Sequence, residues 1–467
     1  MKLDLLSLNL LLLFSTAVTC CYYYLAGKLL WPLIITEPTK KRGRPKKDAK
    51  PASYVPVFHR IYKPKRLFWL VIGAVASALL LQFLIAHDTD SSLPHDFSLM
   101  ILPTSFSVGF LLIAIMRSLH NWGIAACCLL LSFTLSLLLI NNYYRFYPTL
   151  GEVFNRNGVA SLSEHQTKVQ VQSSSASKNT ASLNRTSVEG SLNAVISEST
   201  AGKVYSLNIP GTVSHFNART AYVYLPAVYT TDPNLRLPVI VLMPGFPGLP
   251  ENWLGSGLQT TMDTFAKAHD GITPIIFMVD NTGSVTNDTE CVNSPRGNVE
   301  TYLTVDVPTY IKSHFDVEQS ASHWAIGGLS LGGTCGIMLA LRHPNIYNNF
   351  IDLGGEIGPE VGPKQQTINT LFDGSETAWQ QHQPEYLLAT STYKGMNGFF
   401  GDGKQDTPDI TQATSELNLD AQRAGIQTVY DTINGEHTFN VWQETFKLAL
   451  PWMSNRLGAT ECRSSCL

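Results

Sequence analysis

The stretch Ala325-Ile326-Gly327-Gly328-Leu329-Ser330-Leu331-Gly332-Gly333 restricts the fold of this chain more than any other. The apolar run His323-Trp324-Ala325-Ile326 leads into it as a strand would, and Thr334-Cys335-Gly336-Ile337-Met338-Leu339-Ala340-Leu341 leaves it as a helix would. A serine in a G-x-S-x-G turn between strand and helix has its hydroxyl pushed out beyond the end of a sheet. The glycines two residues either side permit the sharp turn and close backbone contact. A Gly/Ser-rich loop would share the five-residue pattern but not the strand and helix around it. Ser330 is therefore the candidate nucleophile.

The rest of the C-terminal region fits that requirement. Apolar strand-like runs alternate with helical stretches, which predicts an α/β domain with a mainly parallel sheet flanked by helices. Strands are expected at 204–209, 220–225, 239–243, 275–279, 324–326, 350–353, 398–400 and 427–430. Val239-Ile240-Val241-Leu242-Met243 and Ile275-Ile276-Phe277-Met278-Val279 have the unbroken apolar character of strands buried on both faces. The domain is expected over 202–458, long enough for one substantial core. An even set of cysteines, Cys291, Cys335, Cys462 and Cys466, falls in this part and in the 459–467 tail, and it permits two disulfides in an oxidising compartment. Neither Cys-x-x-Cys nor a His/Cys cluster with zinc-ligand spacing occurs, so no structural metal is expected, and no motif calls for a cofactor.

A serine hydroxyl is a weak nucleophile near neutral pH and needs a base, itself oriented by a third group. In the α/β-hydrolase arrangement these follow in the order serine, acid, histidine, each on a loop after a strand. His437, in Asn434-Gly435-Glu436-His437-Thr438-Phe439, follows the last expected strand and is the candidate base. The acid belongs in Gly401-Asp402-Gly403-Lys404-Gln405-Asp406-Thr407-Pro408-Asp409. Asp409 suits the first turn of the next helix, and Asp402 between two glycines suits a turn. That favours Asp406, with Asp402 in reserve. An oxyanion requires backbone donors aimed at it in advance. One is expected from the N–H of Leu331, the other from the loop Pro244-Gly245-Phe246-Pro247-Gly248. Phe246 is the candidate there, since Pro247 has no N–H.

The Pro-Gly-Phe-Pro-Gly loop, the Gly-Leu-Ser-Leu-Gly-Gly elbow, the Leu-Gly-Gly-Glu segment and the Gly-Glu-His-Thr-Phe end resemble the esterase family that includes the antigen 85 mycolyltransferases. The likeness spans roughly 205–452 and is closer still to a membrane-anchored actinobacterial branch of that family. It implies an α/β-hydrolase fold and an extracytoplasmic serine ester hydrolase or acyltransferase, with oxyanion donors matching Phe246 and Leu331. Two departures bear on substrate. Pro244 stands where the antigen 85 loop has an acidic residue, and the acid falls near Asp406-Thr407 rather than on a glutamate. Both tell against carrying trehalose mycolylation over to this chain.

The first third has a different composition. Apolar runs at 3–31, 67–86, 97–116 and 122–140 approach the twenty or so residues of a membrane-spanning helix, so 1–141 is expected to be a four-helix transmembrane region. The net charge of -3 hides a cluster, because eleven of the 33 Lys and Arg residues lie between Lys40 and Arg66. The positive-inside rule holds this basic loop, 36–66, in the cytoplasm and puts the Ser330 domain outside. Arg42-Gly43-Arg44-Pro45 resembles the core of an AT-hook. Between two spans, however, the basic residues serve topology and anionic headgroups, and no nucleic-acid partner is expected. The Ser/Thr/Asn/Ala-rich stretch within 142–201 reads as a flexible linker.

A catalytic domain tethered beside a bilayer favours membrane lipid or cell-envelope esters as substrates. Asp288, Glu290, Asp352, Glu356 and Glu360 fall on loops after expected strands. Glu356 in particular is a candidate to face a cationic group, such as the amine of an aminoacylated phosphatidylglycerol. The rival of another class is a membrane interaction module whose hydrolase-like domain binds without turnover.

Overall fold

The computed structural model describes residues 8–25, 100–101, 103–104, 107–108, 122–144, 160–161, 201–230 and 235–459. In the C-terminal part the sheet is built from β1 (Ala160–Ser161), β2 (Lys203–Leu207), β3 (Ala221–Leu225), β4 (Val239–Met243), β5 (Ile275–Met278), β8 (Trp324–Leu329), β9 (Asn349–Leu353), β10 (Asn397–Gly403) and β11 (Gln427–Ile433). Between β5 and β8 a short hairpin of β6 (Asn293–Ser294) and β7 (Gly297–Asn298) forms separately. The strand order is β1-β2-β3-β5-β4-β8-β9-β10-β11. Pairing is parallel except where β3 meets β2 and β5. This is the mainly parallel sheet expected of an α/β-hydrolase fold.

Period-two alternation explains how the unbroken apolar strands are used. Val239, Val241 and Met243 of β4 enter one core, while Ile240 and Leu242 enter another on the opposite face. Helix Leu331–Arg342 packs in the first. Helices Leu258–Ala268 and Phe439–Arg456 pack in the second, through Met262, Phe265, Trp442, Phe446 and Met453. Helices therefore cover both faces, as continuous apolar strands require.

Ala160–Ser161 lie within the segment read as a linker, yet they pair in parallel with Tyr205 and Ser206 at the sheet edge. Strands β8 and β10 run three residues further than their apolar cores suggest, the first to Leu329 and the second through Asp402 to Gly403.

The chain divides into two compact units, of which the N-terminal one covers Lys2–Asp88 and Ser92–Tyr143. Its described helices are Leu8–Leu25, within the expected span 3–31, and Trp122–Tyr144, which contains 122–140. Small polar residues join helical segments of this unit. Ser107 Oγ donates to Ser132 Oγ at 2.7 Å, and the hydroxyls of Thr104 and Ser136 meet at 2.8 Å. Among the described residues no helix is long and apolar enough to cross a membrane. The basic loop 36–66, the expected span 67–86, most of 97–116, most of the linker and the tail cysteines Cys462 and Cys466 lie outside the described residues.

Candidate active site

Backbone constraint places Ser330 at the end of β8. Its φ of 53° and ψ of -125° lie in a region that side-chain-bearing residues avoid, a strain of about 1–3 kcal/mol that the surrounding packing must hold. The Ser330 N–H donates to the Leu353 carbonyl at 2.9 Å, and the Ser330 carbonyl accepts the N–H of Gly333 at 2.7 Å. The flanking glycines are required by proximity. A Cβ on Gly328 or Gly332 would run into the carbonyl oxygen of Met243, and one on Gly336 would sit 2.6 Å from the Gly327 Cα. The helix Leu331–Arg342 thus starts directly over the end of β4.

The loop after β10 and the loop after β11 bring the other two residues to Ser330. Ser330 Oγ lies 2.9 Å from His437 Nε2, and His437 Nδ1 lies 2.9 Å from Asp406 Oδ2. An ionised carboxylate only accepts, so Nδ1 carries the proton and donates, leaving Nε2 to accept from the serine hydroxyl. Asp406 has no exposed side-chain surface, and its Oδ1 accepts the N–H of Thr407 at 2.7 Å. The imidazole is about one-third exposed and is braced edge-on by Trp442, whose ring centroid is 4.7 Å away at 87°. Gly354 packs beneath: a Cβ there would lie 3.6 Å from His437 Cε1 and 3.7 Å from Asp406 Oδ2.

The structure corrects the reading of Asp402. It sits in β10, fully buried, rather than in a turn, and accepts a hydrogen bond from the Tyr430 hydroxyl at 3.0 Å. Burial pushes its pKa up to about 6, helped by the charge of Asp406 and opposed by the Tyr430 bond. Asp352 at the end of β9 is also buried. It accepts the Gly355 N–H at 2.8 Å, and its pKa is pushed up to about 7, chiefly by desolvation, with Asp402 adding to the rise. It therefore lies inside the fold rather than on a loop. Asp409 is in the first turn of helix Pro408–Arg423, as expected.

Leu331 is the first residue of its helix, where backbone N–H groups have no intrahelical acceptor. The 244–248 loop lies against Ser330, since a Cβ on Gly245 would be 3.0 Å from the Ser330 Cβ. The peptide Phe246–Pro247 is cis. Asn281 holds the loop from below, its Nδ2 donating to the Pro244 carbonyl at 3.3 Å. Neither Asn281 nor Trp442 stood out in the sequence. Trp442 lies one helical turn beyond the Thr438 N-cap, where an aromatic close to the candidate base was the available signal.

Cys291 and Cys335 form a disulfide, tying the loop after β5 to helix Leu331–Arg342. Glu290, beside that bond, is only 3% exposed. The Glu356 N–H donates to Thr334 Oγ1 at 2.8 Å, which places Glu356 one helical turn from Ser330. The residue as a whole reaches solvent, yet burial of its carboxyl is the main reason its pKa rises to about 7, with Asp288 and Glu360 adding.

The Esterase family model matches residues 213–453. An uncharacterized protein of Corynebacterium glutamicum is 35% identical over 405 residues, 84% of this chain and 91% of that protein. The diacylglycerol acyltransferase/mycolyltransferase Ag85B of Mycobacterium intracellulare is 24% identical over 190 residues, 34% of this chain and 57% of that protein. Among solved structures, a ferulic acid esterase aligns at 19% identity over 55% of this chain and 99% of its own, with a TM-score of 0.48. An S-formylglutathione hydrolase from Agrobacterium tumefaciens aligns at 16% identity over 56% and 97%, with a TM-score of 0.47.

Proposed function

The chain belongs to the Esterase family, carboxylic-ester hydrolases of the α/β-hydrolase superfamily, and from that premise we propose that it is membrane-anchored and acts outside the cytoplasm on lipid or cell-envelope esters. The observation that carries the chemistry is the line of two 2.9 Å contacts from Ser330 through His437 to Asp406.

In this mechanism Ser330 Oγ attacks the ester carbonyl while its proton passes to His437 Nε2. The Asp406 carboxylate stabilises the imidazolium that forms and keeps the ring in the productive tautomer. Negative charge collects on the former carbonyl oxygen, and the N–H groups of Leu331 and Phe246 receive it. Collapse of the tetrahedral intermediate expels the alcohol, which takes the proton from His437, and leaves an acyl-serine. Water then attacks with His437 as base, giving the acid and free serine. An acceptor alcohol in place of water gives acyl transfer, and the likeness to the Ag85B mycolyltransferase favours testing that branch as well.

Three observations support the location. The apolar runs 3–31, 67–86 and 97–116 approach the length of a span, the Lys/Arg cluster 40–66 would be retained inside, and the Cys291–Cys335 disulfide suits an oxidising compartment. The Corynebacterium match covers 84% of this chain and so extends beyond the esterase region.

Labelling with a fluorophosphonate, followed by lipid profiling of a strain carrying Ser330→Ala, tests the proposal. Wild type should be labelled at Ser330, and the variant strain should accumulate one class of envelope ester. Absence of labelling in well-folded wild type would favour a binding module without turnover. A second reading, hydrolysis of aminoacylated membrane lipid, is favoured by the acidic residues beside the nucleophile helix.

A further inference from the structure

Glu290 is buried, and among the described residues its Oε2 meets no hydrogen-bond partner. A buried carboxylate without a counter-charge is costly, and proteins normally pair it or keep it protonated. Here the neighbours make the situation worse. After burial itself, the charges of Asp288 and Glu356 and a side-chain hydrogen bond shared with Asp288 push the Glu290 pKa well above the usual carboxylate range, and only the Glu360 N–H works the other way, so Oε2 alone is left without a partner. Asp288 is at least met by Arg296, which donates to its backbone carbonyl at 2.6 Å. The groups acting on Glu356 are again carboxylates, Asp288 and Glu360.

This arrangement is placed by the same parts that build the catalytic site. Glu290 adjoins Cys291, bonded to Cys335 of the nucleophile helix, and Glu356 hangs from Thr334 on that helix. Gly354, against the His437 ring, is two residues from Glu356, at most about 7 Å of chain. Beyond Glu360 a cavity of about 380 Å³ opens, lined also by Ile357, Trp379, Tyr386, Glu385 and Lys364, whose ammonium is already paired with Glu376 at 2.8 Å.

We propose that Glu290, with Glu356 at the mouth and Glu360 beyond it, is a subsite for the ammonium group of an amine-bearing ester whose carbonyl is presented to Ser330. This rests on the reading of Ser330 as an ester-hydrolysing nucleophile. A primary ammonium supplies three donors and one positive charge, which is what an orphaned buried carboxylate oxygen among other carboxylates lacks. Binding releases the proton that the crowded carboxylates hold in the empty site, so affinity for the cation rises with pH through about 7, where Glu356 titrates.

Full-length protein would be assayed with the 4-nitrophenyl esters of alanine and of N-acetylalanine, which differ in the ammonium. Wild type should favour the free amine by about tenfold or more in kcat/KM at pH 7.5, as one charge-assisted contact supplies. In Glu290→Gln and Glu356→Gln that ratio should fall toward one. Equal rates in wild type, or a ratio unchanged in both variants, would overturn the proposal. Should the variants not fold, calorimetry on wild type decides: alaninamide should bind with proton release and N-acetylalaninamide should not. No heat with alaninamide, or Ca²⁺ binding in its stead, sinks the subsite. If neither ester is turned over and Ser330 takes no fluorophosphonate, the hydrolase reading is what fails, and the alaninamide titration still tests the subsite.

Discussion

His437 and Ser330 are separated by 107 residues of chain and by 2.9 Å between Nε2 and Oγ. The sheet order creates that proximity. Strand β8 is central, β11 is at one edge, and the loop after β11 must return over β10 and β9 to reach the elbow. Asp406, on the loop after β10, lies on that return route and meets the far side of the ring.

The first prediction separates the two carboxyls on that route. Asp406→Asn should lower kcat on a neutral 4-nitrophenyl ester by about 10⁴-fold, because the ring loses its tautomer control. Asp402→Asn, which touches Tyr430 rather than the imidazole, should cost far less. Comparable losses in steady-state kinetics would assign the acid wrongly.

The buried carboxyl of Asp352 should shape stability against pH. Its folded pKa, about 7, is above the unfolded value near 3.9, so the folded state holds more protons between those limits. Its stabilising effect is complete below the unfolded value and is lost as pH rises through about 7. Asp352→Asn removes this dependence. The stability of wild type relative to the variant should therefore fall between pH 5 and pH 8, by something on the order of 2 kcal/mol. Parallel denaturation profiles at the two pH values would contradict it.

Glu300 should behave in the opposite sense. Burial works against its charge, but hydrogen bonds from His343 at 2.7 Å and His382 at 3.1 Å, with Arg342 at 2.8 Å, hold its carboxyl well below the usual range. The resulting stability is present above pH 4.5 and is lost as pH falls. Glu300→Gln should destabilise by about 3–5 kcal/mol near neutrality, because Arg342 loses its counter-charge and an amide NH2 replaces one of the two oxygens that accept from Arg342 and the imidazoles. Thermal unfolding at pH 7 and pH 4 checks both the size and the narrowing of the difference.

The elbow glycines yield a steric prediction. Gly332→Ala directs a methyl group at the Met243 carbonyl, which is backbone and cannot swing away. The strain should exceed about 1–3 kcal/mol and displace the 244–248 loop from Ser330. Melting temperature and kcat should therefore fall together, whereas Gly374→Ala, whose added Cβ meets open space on the surface, should cost only backbone strain and leave kcat alone.

Reduction of Cys291–Cys335 should lower stability by about 2–4 kcal/mol, as the loss of a cross-link closing some 44 residues does. Intact mass should rise by one hydrogen per sulfur, and unfolding should occur at a lower temperature. An unchanged midpoint would show the bond to be dispensable.

Much of this site could be read along the chain because strand, turn and helix each leave a local signature. The unbroken apolar runs of β4 and β5 and the glycines around Ser330 are such signatures. The Gly-rich segment around Asp402 misled, since Gly401-Asp402-Gly403 has turn chemistry locally while the Tyr430 hydroxyl and pairing to β11 hold it as buried strand. Glu290 was equally opaque: nothing in Thr289-Glu290-Cys291 says that the glutamate faces inward. Its burial follows from the disulfide and from the loop's positive φ angles at Glu290 and Cys291, both of which are tertiary facts.

Three consecutive residues after β9 carry more than their share. Gly354 lies against the imidazole, Gly355 donates to Asp352, and Glu356 hangs on Thr334 beside the acidic cluster. Attempts to retune selectivity at Glu356 will therefore register at the base as well, and paired substitutions across this strap should show coupling energies of about 0.5–3 kcal/mol instead of simple sums. Transplanting the specificity of one such enzyme onto another means moving 354–356 as a block together with whatever faces it.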